Sequence, residues 1–410
     1  MSQPPTESKS TNPLKWYTNG LSDEVFAGTV LIIAAAIALI MANSPLSGAY
    51  ETLSNFHIGP SAGGFHLSIS DWAQDGVLVI FFFVVGLELK NEFVKGGLSD
   101  PKRAAVPMIA AVFGMLGPIL VYLLVQYWTG GQQWDGWVIP VATDIAFAVG
   151  LLGIFGKGMP TGVRTFLLTL AVVDDLLGIV LIAIVLTETI NILALLASFF
   201  LIGIFAILVN RRVLYWWLLV PLAVAAWAFM FSSGVHATIS GVLMGLSVPA
   251  LAGKGETIAP TDRFLNFWSW ISAGIVLPIF AFFAAGINIL GTGGLASMFS
   301  DSISLGVMLG LPFGKFIGIF CGTALLVTFT PLALEKGLRS ADLVGVSFLA
   351  GVGFTVSLLL ASLSFPSGSL ESAHARIGVI MGSVLSAIIA GIVLRIQVSR
   401  RRKRGQLVTE

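Results

Sequence analysis

Apolar segments of about twenty residues recur along almost the whole chain and are separated by short polar breaks. A helix of that length crosses the hydrocarbon core of a bilayer and satisfies its own backbone hydrogen bonds there. Only 10% of the residues are charged, compared with about 25% in an average soluble domain. We therefore expect an all-α polytopic membrane protein with about twelve transmembrane helices. The predicted spans lie near residues 24–43, 71–93, 104–127, 136–155, 163–186, 191–209, 213–229, 232–250, 264–287, 304–328, 340–364 and 375–396.

The positions of lysine and arginine predict the orientation of these spans. Basic residues precede the first span and follow every second span, whereas the loops in between contain none. Because cytoplasmic loops hold the excess of lysine and arginine, both termini are predicted to be cytoplasmic, and Arg376 is the one basic residue on the outer side. Residues 1–22 and the basic segment 398–410 would then be tails around a single transmembrane domain, 23–397.

The longest outer loop, 44–70, contains two short stretches of alternating apolar and polar residues around Gly63 and Gly64. Such alternation beside a glycine pair predicts a short periplasmic β-hairpin. Its free edge would allow pairing with a second copy of the chain, and so a homodimer. A simple surface loop is an equal alternative, and His57 and His66 are more typical of surface residues than of ligands.

Four ionisable residues lie deep within the predicted spans, where a charge is costly: Asp144, Asp174, Asp175 and Lys315. A buried ammonium group needs an anionic partner or must lose its proton, so Lys315 is expected to pair with one of the aspartates. That pair alone has a structural alternative, because it would simply tie two helices together. One lysine cannot neutralise three carboxylates, however, and the surplus is typical of a site for a small cation or for protons.

The adjacent aspartates favour two roles rather than one chelating pair. Consecutive residues on a helix point about 100° apart, so Asp174 and Asp175 need not face the same ion. Asp75, near the outer end of the second span, is a candidate structural residue outside this group.

Two of the predicted spans carry residues that weaken a helix. Pro140 cannot donate a backbone hydrogen bond, and it lies shortly before Thr143 and Asp144. The span 340–364 contains Gly351, Gly353 and Thr355. These fourth and eleventh spans are expected to be interrupted helices within inverted-topology repeats, about 104–186 and 304–396. Asp144 would offset the positive helix ends at the breaks, and Lys315 the negative ends; a proline kink with close glycine packing is the alternative.

Three further residues are candidates for a response to pH. Glu88 and Glu92 are four residues apart, on one face of the second span at its cytoplasmic end, where an ordinary solvated helix end is an equal alternative. His236 lies near the outer end of the eighth span and is more typical of a packing residue.

These motifs together resemble the bacterial NhaA-type Na⁺/H⁺ antiporter family, in the family's order and over residues 23 to 397. The matching segments are Phe81–Lys90, Ala142–Ala148, Val173–Asp175, Ser233–Gly241, Gly314–Lys315 and Gly351–Ser357.

The resemblance implies exchange of cytoplasmic Na⁺ or Li⁺ for external protons across the inner (cytoplasmic) membrane. Asp175 would be the principal carboxylate for Na⁺ and protons, and Asp174 its partner, also pairing with Lys315. Asp144 and Thr143 would lie where the interrupted helices cross. The resemblance also implies a homodimer through the hairpin and a pH response involving Glu88, Glu92 and His236. One departure is that the segment before the ninth span, 254–268, contains no histidine.

Other function classes fit less well. An intramembrane aspartyl protease needs Tyr-Asp and Gly-x-Gly-Asp contexts, which Asp144, Asp174 and Asp175 lack. A passive cation channel would lack obligatory proton coupling and stays open as an alternative. The sequence predicts a transporter rather than an enzyme, with no cofactor besides the transported ions, no nucleic-acid partner and, with one cysteine, no internal disulfide.

Overall fold

The computed structural model describes residues 24–60, 64–185, 187, 190–289, 291, 294–330, 334 and 338–403. These residues are mostly helical. The first half contains α1 (Glu24–Ala42), α2 (Ser47–Ser54), strands β1 (His57–Ile58) and β2 (Leu67–Ser68), α3 (Ile69–Asp71 continuing through Trp72–Val77 and Leu78–Val94), α4 (Pro101–Thr129), a 3-10 helix (Trp134–Val141), α5 (Ile145–Phe155) and α6 (Thr161–Val185). The second half contains α7 (Ile192–Asn210), α8 (Trp216–Ser232), α9 (Thr238–Ser247), α10 (Pro260–Ile271 continuing through Ser272–Val276 and Leu277–Ala285), α11 (Gly294–Ser300), α12 (Ser302–Leu309 continuing through Gly310–Gly314, Phe316–Cys321 and Gly322–Phe329), α13 (Ser340–Ala350), α14 (Phe354–Ser364) and α15 (Leu370–Lys403).

Each predicted apolar segment contains one of these helices or a pair of them. Among the described residues, six helices are long and apolar enough to cross a membrane by themselves, or up to nine spans if each bent pair counts as one. The predicted tail 1–22, the hairpin turn at Gly63 and the end of the basic tail, 404–410, lie outside the described residues.

Two predicted boundaries differ from the structure. The segment 232–250 was expected to be helical throughout, but α9 comprises only Thr238–Ser247. Gly234 adopts a positive φ of 82°, which ends α8 in a turn and leaves His236 outside a helix. The last helix is longer than expected, since α15 runs to Lys403 rather than ending near residue 396.

The loop 44–70 does contain the predicted two-stranded hairpin. Strands β1 and β2 pair antiparallel, with His57 opposite Ser68 and Ile58 opposite Leu67. Gly59 has a φ of +117°, and a Cβ there would lie 2.2 Å from the carbonyl oxygen of Phe65, so this position requires glycine.

Close backbone contacts hold α4 against α12. A Cβ on Gly117 would lie 2.1 Å from the carbonyl oxygen of Gly314, and one on Gly318 would lie 2.0 Å from that of Phe113. Small residues at these levels let the two helix backbones approach each other directly. The contact fixes the depth and rotation of the α12 segment that carries Lys315.

The two largest hydrophobic clusters of the described residues form most of the interior of the bundle. The larger involves residues of α4, α5, α6, α12, α13, α14 and α15, and the smaller one joins α7, α8 and α9 to Leu87 of α3. Asp174, Asp175 and Lys315 lie on helices of the larger cluster, and Asp144 caps another of them, α5.

Candidate functional site

Two helix pairs are interrupted in the middle of the bundle. The 3-10 helix Trp134–Val141 and α5 meet at an angle of 48°, and α13 and α14 meet at 49°. Residues 142–144 and 351–353 connect the halves without regular helix. The predicted interruptions near Pro140 and near Gly351 and Gly353 therefore occur in the structure.

The two breaks lie directly against each other. The backbone N–H of Asp144 donates to the carbonyl oxygen of Val352 at 2.6 Å. A Cβ on Gly353 would lie 2.6 Å from the carbonyl oxygen of Ala142, and one on Gly351 would lie 2.6 Å from that of Leu311. Glycine is needed at both positions because another backbone occupies the space of a side chain.

Asp144 caps two helices at once. Its Oδ1 accepts from the backbone N–H of Phe147 at 3.1 Å, in the first turn of α5. Its Oδ2 accepts from Thr355 in the first turn of α14, from the backbone N–H at 3.2 Å and from the hydroxyl at 2.8 Å. One buried carboxylate thus faces the positive ends of two helix dipoles, as the sequence predicted.

Lys315 pairs with Asp174, and both side chains are fully buried. The distance from Lys315 Nζ to Asp174 Oδ2 is 2.5 Å. That Lys315 also offsets the negative helix ends at the breaks stays a prediction.

Thr143 connects this ion pair to the break. Its hydroxyl oxygen lies 2.7 Å from Asp174 Oδ2 and 2.7 Å from the Ala350 carbonyl oxygen. Thr143, Asp174, Lys315 and the end of α13 therefore form one connected group of hydrogen bonds.

Asp175 is buried, and its Oδ1 has no hydrogen-bond partner among the described residues. The same holds for Asp174 Oδ1. Buried carboxylate oxygens are normally satisfied, so these two oxygens are open positions for a cation, a proton or water. Among the described residues no three His, Cys, Asp or Glu side chains converge as they would around a resident metal.

The candidate pH-response residues do not form a single cluster. Glu88 and Glu92 lie near the carboxyl end of α3, where Glu92 Oε2 accepts from the backbone N–H of Gly97 at 2.8 Å. His236 lies at the opposite end of α3, with its Nε2 3.4 Å from Asp75 Oδ1 and its Nδ1 2.7 Å from Thr238 Oγ1. Asp75 is thus the partner of His236, and no sequence spacing could have indicated this contact.

The sequence also missed a polar network between the carboxyl end of α3 and the amino end of α10. Lys95 Nζ lies 2.9 Å from Asp262 Oδ2, while Asn91 Nδ2 donates to Asp262 Oδ1 at 3.1 Å. The residues come from segments more than 160 positions apart, so only the fold brings them together.

Comparison with known proteins agrees with this geometry. The family model described as Na⁺/H⁺ antiporter 1 matches residues 18–394. The chain belongs to this family. The resemblance seen in the sequence is therefore confirmed. The chain is a multi-pass membrane transporter and not an enzyme.

Relatives match nearly the whole chain. A protein of Frankia casuarinae named Na⁺/H⁺ antiporter NhaA is 48% identical over 382 residues, covering 92% of this chain and 86% of its own length. The Na⁺/H⁺ antiporter NhaA 2 of Kineococcus radiotolerans is 45% identical over 426 residues, covering 99% and 92%. The protein of the same name in Mycolicibacterium gilvum is 48% identical over 406 residues, covering 96% and 91%.

Proposed function

We propose that this chain exchanges cytoplasmic Na⁺, or Li⁺, for external protons and so serves sodium and pH homeostasis. Membership of the antiporter family supports Na⁺/H⁺ exchange. The observation that carries the assignment of the site is the charge imbalance at the helix breaks, where three buried carboxylates face one lysine. Among the described residues neither Asp144 nor Asp175 has a cationic partner, but Asp144 accepts hydrogen bonds from two helix amino termini, so Asp175 is the uncompensated carboxylate.

Exchange would follow from competition at Asp175. Taking a carboxylate out of water favours its neutral form, and either a proton or a bound Na⁺ provides the compensating positive charge. The two ions then exclude each other, because each neutralises the same group. Alternating exposure of the loaded carboxylate to the two sides converts this competition into antiport.

Each neighbouring residue has a distinct proposed role. Asp174 offers its free Oδ1 to Na⁺ and holds Lys315 with its Oδ2. Thr143 positions Asp174, while Asp144 and Thr355 hold the two breaks together. If Na⁺ displaces Lys315 from Asp174 and the lysine loses a proton, more than one proton moves per Na⁺, and the cycle is electrogenic.

The proposed architecture has twelve spans in two inverted repeats, about 104–186 and 304–396. The matched bends of 48° and 49° support this arrangement, because each repeat then contributes one interrupted helix. In this topology 1–22 and 398–410 are cytoplasmic tails of one transmembrane domain, 23–397, in the bacterial inner membrane.

The pH response is proposed to use both ends of α3. Glu88 and Glu92 would act at the cytoplasmic side, and His236 with Asp75 at the outer side. The segment 254–268 contains no histidine. Its Asp262 forms an ion pair with Lys95 at the end of α3, and we propose that this pair links the segment to the response.

We also propose a homodimer through the outer hairpin. Ile58 of β1 is half exposed, and the two-stranded sheet leaves a free edge. A second copy could extend this sheet by antiparallel pairing.

Transport in proteoliposomes tests the site. With an imposed Na⁺ gradient and an internal pH dye, the native protein should move protons against Na⁺ at neutral to alkaline pH. Asp175→Asn should abolish this movement, since an amide neither binds a proton nor balances Na⁺. Retained antiport in Asp175→Asn would refute the assignment. Na⁺ movement without proton movement in the native protein would instead indicate a channel.

A further inference from the structure

One arginine of the terminal basic run is buried. Arg401 is 8% exposed, whereas its neighbours Arg400, Arg402 and Lys403 are exposed. A run of this kind normally acts only in orienting the last span, and such residues stay in water. Arg401 therefore needs a separate explanation.

The partner of Arg401 is Asp342 in the first turn of α13. Arg401 Nη2 lies 2.5 Å from Asp342 Oδ2, and the exposed fractions of the two side chains are 9% and 4%. The same carboxylate oxygen accepts from the backbone N–H of Arg339 at 2.8 Å. Asp342 thus caps α13 and binds α15 at the same time.

The contact continues along the whole length of α13. One turn before Arg401, Gln397 Nε2 donates to the carbonyl oxygen of Ala341 at 2.6 Å. A Cβ on Gly345 would lie 2.8 Å from Leu394 Cδ2, so the helices also touch closely at this level. Near the break, Ser386 Oγ donates to the carbonyl oxygen of Phe348 at 2.7 Å.

The other end of α13 belongs to the candidate site. The carbonyl oxygen of its last residue, Ala350, lies 2.7 Å from the Thr143 hydroxyl oxygen, which lies equally close to Asp174 Oδ2. A shift of α13 along α15 would therefore move the Ala350 carbonyl relative to Thr143 and disturb the ion pair.

We propose that Arg401 is a positioning residue for transport, which fixes α13 on α15 and thereby sets the geometry at the helix break. This inference rests on the proposed function, because it takes the break to be the transport site. Removal of one partner of a buried ion pair leaves the other charge uncompensated, so the loss of Arg401 drives Asp342 toward water and displaces the start of α13.

Single glutamine substitutions along the basic run give matched tests. Arg401→Gln should raise the apparent KM for Na⁺ in proteoliposomes by about tenfold, since a displaced α13 weakens the site. Arg400→Gln and Arg402→Gln remove the same charge from exposed positions and should leave the KM within about twofold of the native value. If the KM for Na⁺ of Arg401→Gln were equal to that of these two controls, the proposal would be overturned.

A double variant separates positioning from general misfolding. Asp342→Asn with Arg401→Gln leaves no buried charge unpaired and keeps a donor and an acceptor, so the KM should recover to within about threefold of native. If the effects of the two substitutions on the KM for Na⁺ were additive in the double variant, the proposal would be overturned.

Hydrogen exchange measured by mass spectrometry gives a readout that does not depend on transport. In Arg401→Gln the amides of 343–350 should exchange faster, while those of 357–364 in α14 stay protected. Unchanged exchange in 343–350, or faster exchange throughout the bundle, would overturn the positioning role. If the native protein showed no Na⁺-coupled proton movement, the proposed function would fail, and the exchange data would still decide the role of Arg401.

Discussion

Asp144 lies between the amino-terminal ends of α5 and α14 and accepts hydrogen bonds from both. A negative charge at a helix amino terminus contributes roughly 0.3–1 kcal/mol, and up to about 2 kcal/mol where it is partly buried. Two such ends on one carboxylate explain how this charge is retained at depth without a basic partner among the described residues. The remaining charges, Asp174, Asp175 and Lys315, are then left with a surplus of one negative charge.

The ion pair of Lys315 and Asp174 is expected to contribute to the free energy of unfolding. Lys315→Met removes the ammonium group and leaves the buried Asp174 carboxylate beside the Thr143 hydroxyl, whose one proton is shared between Asp174 and the Ala350 carbonyl. We expect unfolding of the detergent-solubilised protein to become about 3–5 kcal/mol more favourable, the usual effect of breaking a buried pair. Thermal unfolding in mild detergent measures the change.

Lys157→Met is the control for this change, because Lys157 is exposed in the turn after α5. It should unfold like the native protein. If Asp174→Asn combined with Lys315→Met were as unstable as Lys315→Met alone, the uncompensated charge would not be the cause, and the pair would not have the role given to it here.

At the scale of elements, α4 and α12 form the contact that orients Lys315. The α12 helix widens to π-helical turns at Gly310–Gly314 and Phe316–Cys321, on both sides of Lys315. Such turns are rare, and they frequently occur at functional sites. Contact with the glycines of α4 is what keeps this weakened part of α12 in place.

Gly117→Ala tests that contact. A methyl group there would meet the backbone of Gly314 at 2.1 Å, so the helices must separate and Lys315 must move. We expect a marked loss of folded protein, visible as a lower thermal midpoint and less monodisperse material. Gly203→Ala in α7 meets nothing within 4 Å and is the matched control, expected to leave the thermal midpoint unchanged or slightly raised. Equal behaviour of the two variants would contradict the account of the contact.

Most of the elements could be predicted from the sequence, because apolar length and basic residues report directly on a membrane span. The two breaks were also predictable, since Pro140 and the pair Gly351 and Gly353 weaken a helix locally. The short α9 was not, because it depends on the backbone conformation of Gly234, which the apolar pattern of 232–250 conceals.

At the scale of the whole molecule, the contacts that the sequence could not predict join elements far apart in the chain. Lys315 was expected to pair with one of three aspartates, and only the fold selects Asp174 at the site. The pairs of His236 with Asp75 and of Arg401 with Asp342 arise in the same way. No sequence pattern indicates the partners in these last two pairs, and only the helix packing brings them together.

The predicted topology places the loop before Trp134 outside the cell and the loop after Phe155 in the cytoplasm. In a background with Cys321→Ala, single cysteines at Gln132 and Lys157, both exposed, lie in loops at opposite ends of the Trp134–Phe155 segment. A membrane-impermeant maleimide added outside intact cells should label Gln132→Cys and not Lys157→Cys. In everted vesicles the same reagent should label Lys157→Cys and not Gln132→Cys. Labelling of both positions from one side would contradict the topology.

In the proposed mechanism the Asp175 carboxylate binds either a proton or Na⁺. Calorimetric titration of the purified protein with Na⁺, in two buffers of different ionisation enthalpy, counts the protons released on binding. We expect release of about one proton or more per bound Na⁺ in the native protein near neutral pH, and no heat of Na⁺ binding in Asp175→Asn. Na⁺ binding without proton release, or unchanged binding to Asp175→Asn, would contradict the account.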